Sequence, residues 1–401
     1  MKTSSGSSIL VTTALLLTQA PITLAATTWY VNGVNGSDSH NCKSPLTACK
    51  TIGHAISSAT SGDAITVAAA TYVENLTIRV NLTVTGSSAV DTIIDGGDYG
   101  LTPSTVVTIP NTGTNVTLSN VMLQGGVAEH GGGVYNAGTL TINNSVISEN
   151  LATERSFFPP MRLYGFGGGI YNTGTLTINR TTINGNTAHG LVQAAGGGID
   201  NRGKLTINAS TLSDNSASVG GTCGSCTVGG GGIANGGTLV VNNSTVTGNY
   251  TRSGVTNGSE NGGIVSSASL SIHSSTVSGN FGGIVGAATH QNSIVADNGT
   301  GGNCNGPVTS IFSLSSDGTC HLNGPGDRNN TNPMLGTLGN YGGPTQTIPL
   351  LSGSPAIDAG NPSGCTDAQG HLLKTDQRGL PRPNTEDRSG CDMGAYERQS
   401  D

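Results

Sequence analysis

The chain is short of charge. Asp, Glu, Lys and Arg make up 10% of its 401 residues, where a globular domain carries about 25%. That excludes charge-driven disorder and coiled coils. Aromatic residues stand at 4%, with a single Trp, so a core of bulky rings is not available. Sixteen Lys and Arg against 23 Asp and Glu leave a net charge of -7 and no basic cluster. Nucleic acid, which is bound by neutralising phosphates, is excluded as a partner. Beyond the first 26 residues no apolar run approaches the roughly 20 residues of a membrane span.

Glycine is what the chain has in excess, with 63 residues. Apolar side chains alone reach 34%, and glycine lifts that to roughly half, the usual globular share. The interior must therefore be built from small and medium residues.

Residues 1–26 open with Lys2, continue through an apolar stretch from Ile9 to Leu17 broken by Thr12 and Thr13, and end on Ala25 and Ala26. This is the pattern of a secretory signal peptide. Eight cysteines follow, lying close in pairs: Cys42 with Cys49, Cys223 with Cys226, Cys304 with Cys320, Cys365 with Cys391. An even count in an exported chain favours disulfides between neighbours. Cys223-Gly224-Ser225-Cys226 also has the spacing of a redox or metal pair, but no second such motif and no nearby His accompanies it.

The dominant signal is a repeat. Five segments align without a gap: GGGVYNAGTLTINNSVISEN from Gly131, GGGIYNTGTLTINRTTINGN from Gly167, GGGIDNRGKLTINASTLSDN from Gly196, GGGIANGGTLVVNNSTVTGN from Gly230 and NGGIVSSASLSIHSSTVSGN from Asn261, with a shortened sixth from Gly282. From the last opening glycine to the closing Asn the spacing is always 17, from Gly133 to Asn150 through Gly263 to Asn280. Between units it varies, and the longest connection carries Phe157, Phe158, Pro159, Pro160 and Arg162. Variable inserts therefore leave one corner of a constant scaffold.

Leu140, Leu176, Leu205, Leu239 and Leu270 share one offset, and Ile142, Ile178, Ile207, Val241 and Ile272 lie two residues on. Period two with Thr or Asn between is a strand with one buried face. Strands this short cannot make a core alone. Stacked at the inter-strand distance of about 4.8 Å, each apolar column becomes continuous and each strand bonds above and below. The expected fold is all-β, a parallel β-helix.

Polar columns agree with stacking. Asn136, Asn172, Asn201 and Asn235 share one offset; Asn143, Asn179, Asn208, Asn242 and then His273 a second; Asn150, Asn186, Asn215, Asn249 and Asn280 a third. These are expected to form amide ladders, with rows for ligand binding as the alternative. Ile52, Ala55, Ile56 and Ala59 have helical spacing and suit a short helix lidding the first coil. Residues 64–110 read as early, less regular coils.

The opening Tyr30-Val31-Asn32, Gly36-Ser37-Asp38, Cys49-Lys50-Thr51-Ile52, Gly62-Asp63-Ala64-Ile65 and Tyr72-Val73-Glu74-Asn75 resembles the start of pectin-lyase-like right-handed β-helix proteins. The repeats are similar to those of chlamydial polymorphic outer membrane proteins. The closing Tyr341-Gly342-Gly343-Pro344-Thr345, Gly353-Ser354-Pro355-Ala356-Ile357-Asp358-Ala359-Gly360, Asp376-Gln377-Arg378-Gly379 and Cys391-Asp392-Met393-Gly394-Ala395-Tyr396-Glu397 resembles the choice-of-anchor Q domain of bacterial surface proteins. The resemblance implies a right-handed, single-stranded β-helix with an N-terminal helical cap over 27–300, its repeats at 131–299, and a choice-of-anchor Q-like region with an irregular cap at 301–401. It also implies export, to the cell surface or the medium. No sorting signal follows Glu397.

Enzymes of this fold that cleave acidic polysaccharides place carboxylates for Ca²⁺ and a basic residue on one exposed face. Asp200, Arg202 and Lys204 alternate in sequence and are expected to project together from one strand. A solvated surface cluster is the plainer reading. Glu149 and Asp214 share an offset two coils apart, near the spacing of an inverting carboxylate pair. His189 and His290 stand alone and are expected on the surface. The expectation is a monomeric, secreted or cell-surface scaffold that binds polysaccharide or surface glycans without catalysis or cofactor. The alternative is a polysaccharide lyase or glycoside hydrolase acting through Asp200, Arg202, Lys204, Glu149 and Asp214, with Ca²⁺ only in that case. Thr139-Leu140-Thr141 and Thr175-Leu176-Thr177 also suggest an ice-binding row, which breaks at Lys204 and Val240.

Overall fold

The computed structural model describes residues 1–2, 26–97, 104–154, 164–220, 226–253, 261–384 and 390–400. The signal-peptide segment from 3 to 25 and the insert residues Phe157 to Arg162 lie outside the described residues.

Each coil runs through three short strands. In the unit from Gly167, Ile170–Asn172 leads to Thr175–Asn179 and then to Thr182–Asn184. Each stacks parallel and in register on its counterpart in the next coil, giving sheets of nine, eleven and ten strands among the described residues. Leu140 lies on Leu176, then Leu205, Leu239 and Leu270, in one unbroken column. The Thr-Leu-Thr-Ile-Asn strands alternate between solvent and a buried interior. A single apolar cluster runs from Trp29 to Leu322. The chain is a right-handed parallel β-helix.

The asparagine columns are ladders. Asn136 Nδ2 donates to Asn172 Oδ1 at 2.7 Å, Asn172 to Asn201 and Asn201 to Asn235 at the same distance. The corner column runs Asn150, Asn186, Asn215, Asn249 and Asn280, and continues through Asn298 to Asn303. The opening glycines have a backbone cause. Gly196 has φ +63°, and a Cβ there would stand 2.2 Å from the Ile199 carbonyl oxygen.

The described parts of the inserts form strands of their own. After the closing Asn the chain enters a second layer, in which Leu151–Ala152, Thr187–Gly190, Ser216–Val219 and Tyr250–Ser253 pair in parallel. It returns through Tyr164–Phe166, Gln193–Ala195 and Thr227–Gly229. Ala152, Ala188, Ala194, Ala217 and Val219 fill the space between these two ribbons. The result is a fin along the helix.

Helix Ile52–Ser58 lids the first coil as expected, burying Ile52 and Ala55. Its free N–H groups are met by the Thr51 hydroxyl and by Glu74, whose carboxylate accepts from Ile52 N and Gly53 N at 2.8 Å each. At the other end coil strands continue to Leu314–Ser315, and Cys320 and Leu322 join the core. Residues 333–384 and 390–400 then fold back along the outer face of the ten-strand sheet. There Gln377 Nε2 donates to Thr211 Oγ1 at 2.9 Å and Gln377 Oε1 accepts from Thr245 Oγ1 at 2.6 Å. Ala395 N donates to Thr276 Oγ1 at 3.1 Å.

Cys42–Cys49, Cys304–Cys320 and Cys365–Cys391 are disulfides. Cys226 is disulfide-bonded, and Cys223 lies outside the described residues. Among the described residues no helix is long and apolar enough to cross a membrane.

His290 departs from expectation. It is fully buried, because strand Ala288–Gln291 pairs it with the inward-facing Ile272. Neither ring nitrogen has a partner, and burial pulls its pKa down to about 4. His189 is half-buried, its Nδ1 2.9 Å from Ser218 Oγ.

Candidate functional site

The outward residues of the nine-strand sheet form a column of changing chemistry. Thr108, Tyr135, Tyr171, Asp200, Ala234 and Val265 follow one another in register. The returning ribbon of the fin, with Phe166 and Ala195, stands beside this column and makes one wall of a groove.

Aromatics are scarce in this chain, yet four meet here. Tyr135 stacks on Tyr171 with ring centroids 5.7 Å apart, and Tyr164 on Phe166 at 6.0 Å. His130 meets Tyr171 edge-on at 4.6 Å and Phe166 at 5.4 Å. Arg202 lies 5.4 Å from the Phe166 ring and 5.9 Å from that of Tyr171. Such contacts fix the plane of a guanidinium.

Asp200 holds Arg202 in place. Arg202 Nε donates to Asp200 Oδ1 at 2.8 Å and Nη2 to Oδ2 at 3.2 Å. The carboxylate is 2% exposed and the guanidinium side chain 48%. Burial pushes the Asp200 pKa up, opposed by the bond and charge of Arg202 and more weakly by His130. That bond keeps Arg202 firmly cationic. Burial also raises the Tyr171 hydroxyl. Beyond the pair the floor drops, because Ala234 and Val265 are small. The notch, lined by Ala195, Asp200, Arg202, Ala234, Gly236, Val265 and Ser267 among others, holds about 320 Å³.

The structure unites only two of the five candidate residues. Asp200 and Lys204 do not share a strand: Ile199–Asn201 belongs to the nine-strand sheet and Lys204–Asn208 to the eleven-strand sheet. The corner at Arg202-Gly203 breaks the alternation, so Lys204 projects from a different face, exposed between Thr175 and Thr238. Glu149 and Asp214 sit at φ +56° and +55°, in a corner column shared with Gly125, Gly185, Gly248 and Gly279. Both are exposed. A left-handed turn selects for that offset.

Sequence reasoning missed His130, Tyr135, Phe166 and Tyr171. Tyr135 and Tyr171 share the offset of Asp200, which was a usable signal. Phe166 was not legible, since the fin that brings it alongside is built from the unaligned inserts.

The fold and groove together place the chain among right-handed parallel β-helix proteins. No protein-family model and no curated protein matches it. Among solved structures it is similar to one described as pectate lyase Pel9A, at 14% identity and a TM-score of 0.53, covering 94% of this chain and 97% of that one. It is also similar to a GH136 lacto-N-biosidase from Eubacterium ramulus, at 10% identity and a TM-score of 0.38, covering 72% and 63%. A pectin methylesterase from Aspergillus niger matches at 14% identity and a TM-score of 0.32, covering 78% and 87%. At 14% identity the likeness to the structure described as pectate lyase Pel9A is one of fold.

Proposed function

We propose that this is an exported β-helix scaffold that binds glycans, without cleaving them, in the groove between the nine-strand sheet and the fin. The carrying observation is the groove itself. In a chain poor in rings, Tyr135, Tyr171, Phe166 and His130 gather beside one buffered charge pair and one notch. Aromatic surface with a few fixed polar groups is the usual make-up of a small-ligand site. The β-helix it shares with a structure described as pectate lyase Pel9A suits an extended polymer.

Three features favour binding over turnover. Both Asp200 oxygens accept from Arg202, so this carboxylate is engaged and not poised as a base. Lys204 leaves on another sheet, and Glu149 and Asp214 hold turn positions. Export is supported by the disulfides and by the apolar N-terminal segment. Retention of purified protein on immobilised polysaccharides, with no new reducing ends or unsaturated products after long incubation, is the expected outcome. Product formation dependent on Asp200 would establish the lyase or hydrolase reading instead.

A further inference from the structure

We infer that the groove selects neutral hexopyranose glycans and discriminates against acidic ones. This rests on the glycan-binding reading above and adds the class of ligand. A pyranose ring offers an apolar C–H face and a rim of hydroxyls, and the groove offers a counterpart to each. Half-buried Tyr135 and Tyr171 supply ring surface. Ala195, Ala234 and Val265 supply an apolar wall and floor. At the rim stand the exposed Ser267 hydroxyl and the guanidinium of Arg202, whose Nη1 makes no hydrogen bond among the described residues. These are donors and acceptors suited to hydroxyl groups.

Charge decides the class. The cation is already paired. Asp200 meets Arg202 through both carboxylate oxygens from beneath the notch, so a ligand carboxylate or sulfate on Arg202 would also face a buried carboxylate. Glu129 adds a second acid, 3.7 Å from His130 Nδ1. The Asp200 and Glu129 carboxylates outnumber the one guanidinium of Arg202 here, within a chain of net charge -7. An acidic polymer approaches against that field. Neutral hydroxyls do not, and Arg202 can bond them while keeping Asp200.

The geometry also points to which sugar contacts matter. The column Tyr135, Tyr171, Asp200, Ala234 and Val265 climbs one coil per residue, so ring surface and notch lie along the helix axis. A chain laid along the axis places one sugar against the tyrosines and a neighbour in the notch beside Arg202.

The test is calorimetric binding of the full chain to two panels, at low and at physiological salt. One contains neutral gluco-, manno- and galacto-oligosaccharides, and the other oligogalacturonate, oligoalginate and heparin fragments. Binding to at least one neutral oligosaccharide, little changed by salt, is expected. Tyr171→Ala should weaken it about tenfold, in keeping with one lost aromatic contact. Ala234→Trp, which fills the notch from an outward position, should abolish it with the melting temperature unchanged. Salt-sensitive binding of acidic fragments alone would overturn the inference while leaving a glycan-binding protein. Neutral binding untouched by both substitutions would overturn the site. Binding of neither panel would remove the glycan reading together with this one.

Discussion

Asn215 donates its side-chain amide to Asn249 Oδ1 at 3.0 Å inside a corner that water does not reach. It also donates to the Ile183 carbonyl at 2.9 Å and accepts from the Asn186 backbone N–H at 3.1 Å. Asn215→Ala strips partners from buried groups that have no substitute, and about 3 kcal/mol of stability should go with them. Asn208 makes a similar ladder contact to Asn179 at 2.9 Å, but half-exposed. Water replaces its partners, so Asn208→Ala should cost less than about 1 kcal/mol. Urea unfolding of both variants checks this, and equal losses would contradict it.

Glu149 and Asp214 hold left-handed corners where neighbouring coils have glycine. An L-residue there is strained by about 1–2 kcal/mol, part of which glycine returns through its greater freedom when unfolded. Glu149→Gly and Asp214→Gly should therefore leave stability unchanged or raise it by up to about 1 kcal/mol, with glycan binding intact. A loss of binding in either variant, with an unaltered melting curve, would restore the paired-carboxylate reading.

What the sequence made legible followed from repetition. Leu140 and its equivalents, the three asparagine columns and the capping helix each recur at fixed spacing or show one period, and a stacked fold amplifies both. The functional groove was legible only in half. Asp200 and Arg202 stood out as charges in an uncharged repeat. Lys204 was wrongly grouped with them, because a three-residue corner looks like strand when the period alone is followed. His290 was misplaced for a related reason: its unit is short, and the phase of its strand is set by pairing with Ile272. The fin and the folded-back C-terminal segment rest on contacts between distant residues, such as Thr211 with Gln377, that no local pattern encodes.

Two buried groups make stability depend on pH in opposite senses. His290, held down at about 4 against an ordinary 6.5, stays neutral in the folded chain while the unfolded chain takes up a proton. Stability from this group therefore falls as pH drops from 6.5 to 4, by at most about 3 kcal/mol. Asp392, pushed up to about 7 by burial and by the charge of Glu397, keeps a proton in the folded chain that the unfolded chain has lost. Its contribution falls as pH rises from 3.8 to 7, by at most about 4 kcal/mol. Between pH 4 and 6.5 the contributions of these two groups oppose each other. His290→Ile, which matches the Ile272 column, should lose stability with rising pH across that window, and Asp392→Asn should gain it. Slopes of the same sign in the two variants would refute the assignment.

Gln377 is the pin between the C-terminal segment and the coils. It is 1% exposed, and its amide spans Thr211 Oγ1 at 2.9 Å, Thr345 Oγ1 at 3.0 Å and the Gln346 carbonyl at 2.9 Å, while its oxygen accepts from Thr245. Gln377→Leu keeps the volume and removes every one of these bonds, while Thr211 Oγ1 keeps the Gln346 carbonyl and Thr245 Oγ1 keeps Thr347 Oγ1 at 3.2 Å. A loss of about 2–4 kcal/mol follows for the docking of the segment. The loss should be local, because the main core from Trp29 to Leu322 contains no residue of the segment, which shares with the last coils the separate, smaller cluster of Ile294, Ala296, Leu314, Leu350, Ala356 and Met393. Limited proteolysis should then cut the variant within residues 333–384 sooner than it cuts the native chain there, and leave the coil strands as resistant as in the native chain. Simultaneous cleavage of coils and segment would mean that the two unfold as one unit and that Gln377 pins nothing separable.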